Sequence, residues 1–217
     1  GIVQVAAAGG MNVKVFDARR ESVEDAVAFI GNMFSRAAER GRMTAAEAAA
    51  ATARVHPVES LSDFADCDAV VEAVVENLDV KRAVFAELEA IVADDAILAS
   101  NTSSLSVTTI ASSCTHPNRV AGFHFFNPVP LMKVVEVIAG VRTDEWVLDG
   151  LSALAKRCGH TPVRAIDSPG FLVNHAGRAF STEGLRIIGE GICGTAEVDR
   201  VMTEAAGFRL GPFQLFD

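Results

Sequence analysis

Apolar positions along this chain switch repeatedly between two periods. Val23, Val27, Ile30, Phe34 and Ala37 recur every three or four residues, which predicts an amphipathic helix over 21–40. The run Ala69-Val70-Val71-Glu72-Ala73-Val74 has no helical stripe and predicts a buried strand. The two patterns then alternate: a helix over 78–92 (Val80, Val84, Phe85, Leu88, Ile91), a strand at 96–99, a short helix over 104–112, a strand from Arg119 to Phe123, an apolar strand at 134–138, a helix over 144–158 and a strand at 162–166. Near the start, the small residues of Gly1–Gly10 read as a helix. Val13-Lys14-Val15-Phe16-Asp17 reads as a strand ending in an acid. Residues 44–53 are alanine-rich, with Thr44 and Glu47 spaced as a capping box.

Strands alternating with helices of this length predict an α/β architecture with a doubly wound, mostly parallel sheet. After Asp167-Ser168-Pro169-Gly170 only helical patterns follow, over 171–189 and 195–206. The expected organisation is therefore a domain over 1–167 and the beginning of an all-helical domain over 168–217. Both ends read as cut. The opening looks like the second half of a βαβ unit, so a first strand and its Gly-rich turn are expected upstream. Without them the sheet should show a gap, and residues 1–217 alone should bind a dinucleotide weakly.

Composition narrows the classes of function. Half of the 217 residues are apolar, enough for a large core. Acidic residues outnumber basic ones 28 to 19, a net charge of −9, which argues against nucleic acid or an anionic membrane as partner. The four cysteines, Cys67, Cys114, Cys158 and Cys193, show no C-x-x-C and no zinc spacing, so no metal is expected. They read as reduced thiols of a cytoplasmic or organelle-matrix protein. No apolar run approaches ~18 residues, so neither a transmembrane helix nor a signal peptide is expected.

Two polar residues stand out against this apolar background. His124 lies in Gly122-Phe123-His124-Phe125-Phe126-Asn127-Pro128-Val129-Pro130, and Glu136 lies inside Val134-Val135-Glu136-Val137-Ile138. Each alone has a structural reading, as a satisfied strand-end histidine or an edge charge. If the two segments are adjacent strands joined by the Pro128/Pro130 turn, Glu136 folds back onto His124 and a carboxylate–imidazole pair is expected. The carboxylate fixes the tautomer, and the second ring nitrogen serves as a base.

Other candidates lie at strand ends, where ligands sit in sheets of this kind. Asp17 ends the strand after the first helix, in the place of the acid that takes the ribose hydroxyls of a dinucleotide; it could equally cap a helix. A carboxylate there repels a 2′-phosphate and favours NAD over NADP, although Arg19 and Arg20 are near enough in sequence to hold a phosphate. Glu76 and Lys81 follow the strand at 69–74 and are candidates for a cofactor contact or for an ion pair. The hydroxyls of Ser100-Asn101-Thr102-Ser103-Ser104 serve either a substrate or the following helix.

These blocks resemble the L-3-hydroxyacyl-CoA dehydrogenase family. The resemblance rests on Glu72-Ala73-Val74-Val75-Glu76-Asn77-Leu78, Ser100 through Leu105, His124 through Glu136, and Asp167-Ser168-Pro169-Gly170-Phe171-Leu172-Val173-Asn174. It implies a Rossmann-type NAD-binding domain followed by a helical substrate and dimerisation domain. It implies hydride transfer between an L-3-hydroxyacyl-CoA and NAD, as in β-oxidation, with His124 as base, Glu136 as its partner, and Ser103 and Asn174 as substrate contacts. Asp17, Glu76, Lys81, Ser103 and Asn127 would line the NAD site. Arg40 is the nearest match to a basic residue that contacts the CoA nucleotide in the family. A homodimer is expected. Two alternatives are a module of a multifunctional β-oxidation enzyme and a non-catalytic NAD-binding protein; keeping His124, Glu136, Ser103 and Asn174 together argues against the latter. The β-hydroxyacid dehydrogenase type relies on a lysine, and none stands out after Asn174.

Overall fold

The computed structural model describes residues 1–216, folded as two compact units, one over 1–167 and one from Ser168 onward. The first unit contains helix α1 (Ile2–Ala8), strand β1 (Val13–Val15), helices α2 (Arg20–Glu39) and α3 (Ala45–Ala53), strands β2 (Val55–Pro57) and β3 (Ala69–Glu72), helix α4 (Leu78–Ile91), strand β4 (Ile97–Ser100), helix α5 (Val107–Ala111), strands β5 (Val120–Phe125) and β6 (Val134–Ala139), helix α6 (Glu145–Arg157) and strand β7 (Thr161–Ile166).

The strands form two separate sheets. One is the parallel pair β1-β2. The other has the order β3-β4-β5-β6-β7, parallel throughout except where β5 meets β6 antiparallel. Helices cover both faces of this larger sheet. Ile97, Ala99, Ala121, Phe123 and Phe125 pack with Val147, Leu151 and Ala155 of α6. Their strand neighbours Leu98 and Val120 point the other way, into a second core with Phe85 and Leu88 of α4 and Ile110 of α5. The alternation is that of a pleated strand buried on both sides. Around β1 and β2, a third core gathers Ala7, Ile30, Phe34, Ala48, Ala51 and Val55.

The helices match the apolar periodicity closely, and the Thr44/Glu47 capping box is formed, with Glu47 N donating to Thr44 Oγ1 at 3.1 Å. Differences lie at element ends. β1 stops at Val15, so Asp17 stands two residues beyond it; β3 stops at Glu72; and the helix expected over 104–112 is the five-residue α5. β2 is not among the sequence expectations, because three residues containing a proline carry almost no strand signal.

The second unit holds α7 (Val173–Gly189) and α8 (Thr195–Arg200), followed by one π turn at Val201–Ala205, where a continuous helix to 206 was expected. Gly184 lets Pro212 and Phe213 approach α7, and Asp199 Oδ1 accepts the Phe213 amide at 2.9 Å. The rings of Phe180 and Phe208 lie 4.9 Å apart.

Candidate active site

β5 is buried along its whole length, so a polar residue inside it must find a partner within the protein. His124 finds Glu136. The two are opposed Cα partners in the antiparallel β5–β6 ladder, and His124 Nδ1 lies 2.6 Å from Glu136 Oε2. Glu136 is fully buried and His124 nearly so. The turn between them contains a cis Asn127–Pro128 peptide, and the ring of Phe126 meets the imidazole edge-on at 4.5 Å. Two positions before His124, on the same strand face, Gly122 keeps the ladder close. A Cβ there would stand 2.8 Å from Ile138 and 2.9 Å from Val107 of α5.

A second polar cluster joins the carboxyl ends of β3 and β4. Glu76 Oε1 accepts from Thr102 Oγ1 (2.5 Å), Ser104 Oγ (2.9 Å) and the amides of Ser103 and Ser104 (3.2 Å each). Burial works against ionisation of Glu76. The hydrogen bonds from Thr102, Ser104 and Lys81, with the charge of Lys81, outweigh it and hold the carboxyl down at about 2. Lys81 bonds Glu72 at 2.7 Å and pairs with Glu76 at 3.2 Å, and its side chain is 1% exposed. Of the two roles open to Lys81 in the sequence, the ion pair is the one formed. A direct cofactor contact would require an ammonium that is instead enclosed between two carboxylates. Ser103 is exposed on this loop, and Asn127 is exposed after β5.

Asp17 is exposed, and one of its oxygens accepts the Arg19 amide at 2.8 Å. A carboxylate offers several lone pairs, so acceptor capacity is left for ribose hydroxyls. That donor-and-acceptor chemistry, with the exposed Ser103 and Asn127 at the strand ends, fits NAD. The one G-x-G-x-x-G spacing in the sequence, Gly189-Glu190-Gly191-Ile192-Cys193-Gly194, joins α7 to α8 with no strand before it, so it is not the strand-to-helix turn of a dinucleotide site. Arg40 is exposed at the C-terminus of α2, where no contact bears on its expected role. A recess of about 440 Å³ nearby is lined by residues that include Arg42, Met43, Glu47 and Arg54 and shares none with the His124 or Glu76 clusters. Asn174 stands half-buried in the first turn of α7 in the second unit. Thr102, one of the hydroxyls left open between substrate and helix, accepts the Ser104 and Leu105 amides at 3.3 and 2.9 Å. The sequence reading assigned no role to Glu72. A lone acid in an apolar run, nine residues before a lysine, was the available signal.

A mostly parallel α/β domain with an acid after its first strand, a buried His–Glu pair on its one antiparallel strand pair and a following helical unit is the architecture of a dinucleotide-dependent dehydrogenase. The chain belongs to the 3-hydroxyacyl-CoA dehydrogenase family: residues 1–168 match the family's NAD binding domain and residues 170–217 its C-terminal domain. It is 38% identical over all 217 residues to the 3-hydroxyadipyl-CoA dehydrogenase of Escherichia coli K12, of which it covers 46%. It is 37% identical to the probable 3-hydroxybutyryl-CoA dehydrogenase of Deinococcus radiodurans, covering 78%. The solved 3-hydroxybutyryl-CoA dehydrogenase from Escherichia coli K12 superposes with a TM-score of 0.95 at 37% identity, over 99% of this chain and 45% of that one. The chain thus spans just under half of the first relative and about three quarters of the second.

Proposed function

We propose that this chain carries the NAD-binding and proton-transfer machinery of an enzyme that interconverts an L-3-hydroxyacyl-CoA and its 3-keto thioester. The observation that carries the reading is the buried His124–Glu136 pair. With Glu136 on Nδ1, His124 exchanges a proton with the C3 hydroxyl through Nε2, and the carboxylate stabilises the imidazolium that forms. The bound NAD supplies the hydride acceptor for the C3 hydrogen. Ser103 holds the C3 oxygen of the substrate, and Asp17 orients the adenosine ribose. In reduction the same imidazole is the acid. The expected pathway class is β-oxidation of fatty or related acyl-CoA.

A homodimer through the helical unit accompanies this reading. Leu185, Ile192, Val201 and Phe208 of that unit are each more than half exposed, an apolar load that a second copy would cover. A reducing compartment, cytoplasm or organelle matrix, fits four unpaired cysteines. No helix among the described residues is long and apolar enough to cross a membrane.

The test is oxidation of NADH by the full-length protein with acetoacetyl-CoA, followed by loss of nicotinamide absorbance. Turnover that depends on His124 supports the reading; binding of NAD without turnover would make the protein a non-catalytic binder.

A further inference from the structure

We propose that Glu72 is a positioning residue for the loop Thr102–Ser104, acting through Lys81 and Glu76. The proposal rests on the reading above for what the loop holds, since Ser103 is its substrate- and cofactor-facing member.

Nothing in the packing of β3 calls for a charge at position 72. An apolar pair in place of Glu72 and Lys81 would avoid the desolvation of two ions, and buried ion pairs are often no better for stability than such a pair. Yet both side chains are 1% exposed. Their arrangement is directional. Glu72 Oε1 takes the Val74 amide at 2.6 Å and Lys81 Nζ at 2.7 Å; Oε2 takes Ser100 Oγ at 2.7 Å. Glu72 and Ser100 are register partners, so this carboxylate locks the carboxyl ends of β3 and β4 side by side. Ser100 Oγ in turn accepts the Thr102 amide at 3.2 Å. Lys81, held from below by Glu72, reaches Glu76 Oε2 and turns the other oxygen, Oε1, toward the loop. There it meets the four donors of Thr102, Ser103 and Ser104. The part of Glu76 that faces the loop is therefore saturated by protein. It shapes the surface that presents Ser103, and Glu72 is the buried anchor of the chain.

The deciding measurement is amide hydrogen exchange in the full-length protein, comparing Glu72→Gln with the unmodified enzyme. The expected result is exchange about tenfold or more faster at Ser103 and Ser104, with the amides of β5 and β6 unchanged, because a local opening moves only its own unit. The KM for NAD should rise several-fold while the pH profile of turnover, set by His124 and Glu136, stays in place. Uniform acceleration at all amides, or a lowered melting temperature with loop exchange and KM unchanged, would reduce Glu72 to a stability residue and overturn the proposal. Should Glu72→Gln fail to fold, Ser100→Ala removes one arm of the anchor, and the same selective acceleration is expected at smaller size; its absence would also overturn it. Selective loop exchange in a protein that does not turn over acetoacetyl-CoA would uphold the anchor and sink the proposed reaction.

Discussion

Glu136 and His124 lie directly opposite each other across an antiparallel strand pair, with Oε2 2.6 Å from Nδ1. Because register and not loop placement sets this contact, the imidazole is held by two backbones as well as by a hydrogen bond. His124→Gln in the full-length protein should lower turnover by roughly 10²–10⁴-fold, the usual range for a general base. Glu136→Gln should also be severe and should displace the pH profile. Affinity for NAD, read by calorimetry, should change little in His124→Gln. Near-normal turnover in that variant would remove the base assignment.

Asp17 should set the choice of nucleotide. Its exposed carboxylate repels a 2′-phosphate, so NADH is expected to be used far better than NADPH. Asp17→Ala should narrow that preference by roughly tenfold or more, equivalent to about 1.4 kcal/mol, since Arg19 and Arg20 are then available to a phosphate. Steady-state kinetics with both nucleotides decide it; equal use of both by the unmodified protein contradicts the ribose role.

Asp167 caps α5 from the far end of β7. Its oxygens accept from Ser106 Oγ (2.7 Å), the Thr108 amide (2.8 Å) and the Val107 amide (3.1 Å). Burial alone would raise its pKa, but bonds from Thr108, Ser106 and Val107 outweigh that and lower it. A depressed carboxylate stabilises the fold above its unfolded value, near 3.9, and loses that contribution as pH falls through the folded value. Asp167→Ala should therefore cost about 1 kcal/mol at neutral pH. The gap between variant and parent in denaturant melts should shrink below about pH 4. A gap unchanged by acid would mean that the charge is not what stabilises the cap.

Thr44→Ala should also cost about 1 kcal/mol, a usual value for an N-cap. Thr44 Oγ1 accepts the Glu47 amide, and Glu47 Oε2 accepts the Thr44 amide at 2.7 Å. Chemical denaturation measures the loss; a change within error would show that α3 is held by its packing against Ile30, Phe34 and Val55 alone.

Much of this protein is local enough to be written in its sequence. The helices follow from apolar spacing, the α3 cap from two residues three apart, and the change to helices after residue 167 from the loss of strand runs. The His124–Glu136 pair was legible because a hairpin links nearby segments, so a short sequence separation stands in for contact in space. Other features depend on segments distant in sequence. β2 becomes a strand only because β1 offers it a parallel ladder, and three residues ending in a proline are too short a run to announce this. The site is divided likewise. Asp17, Ser103 and Asn127 were chosen by position at strand ends. The burial that turns Lys81 from a ligand candidate into the centre of an ion-pair cluster comes from β3, α4 and β4 packing together. A charge in a sequence does not say whether water reaches it; only the tertiary structure removes the water, and with it the alternative.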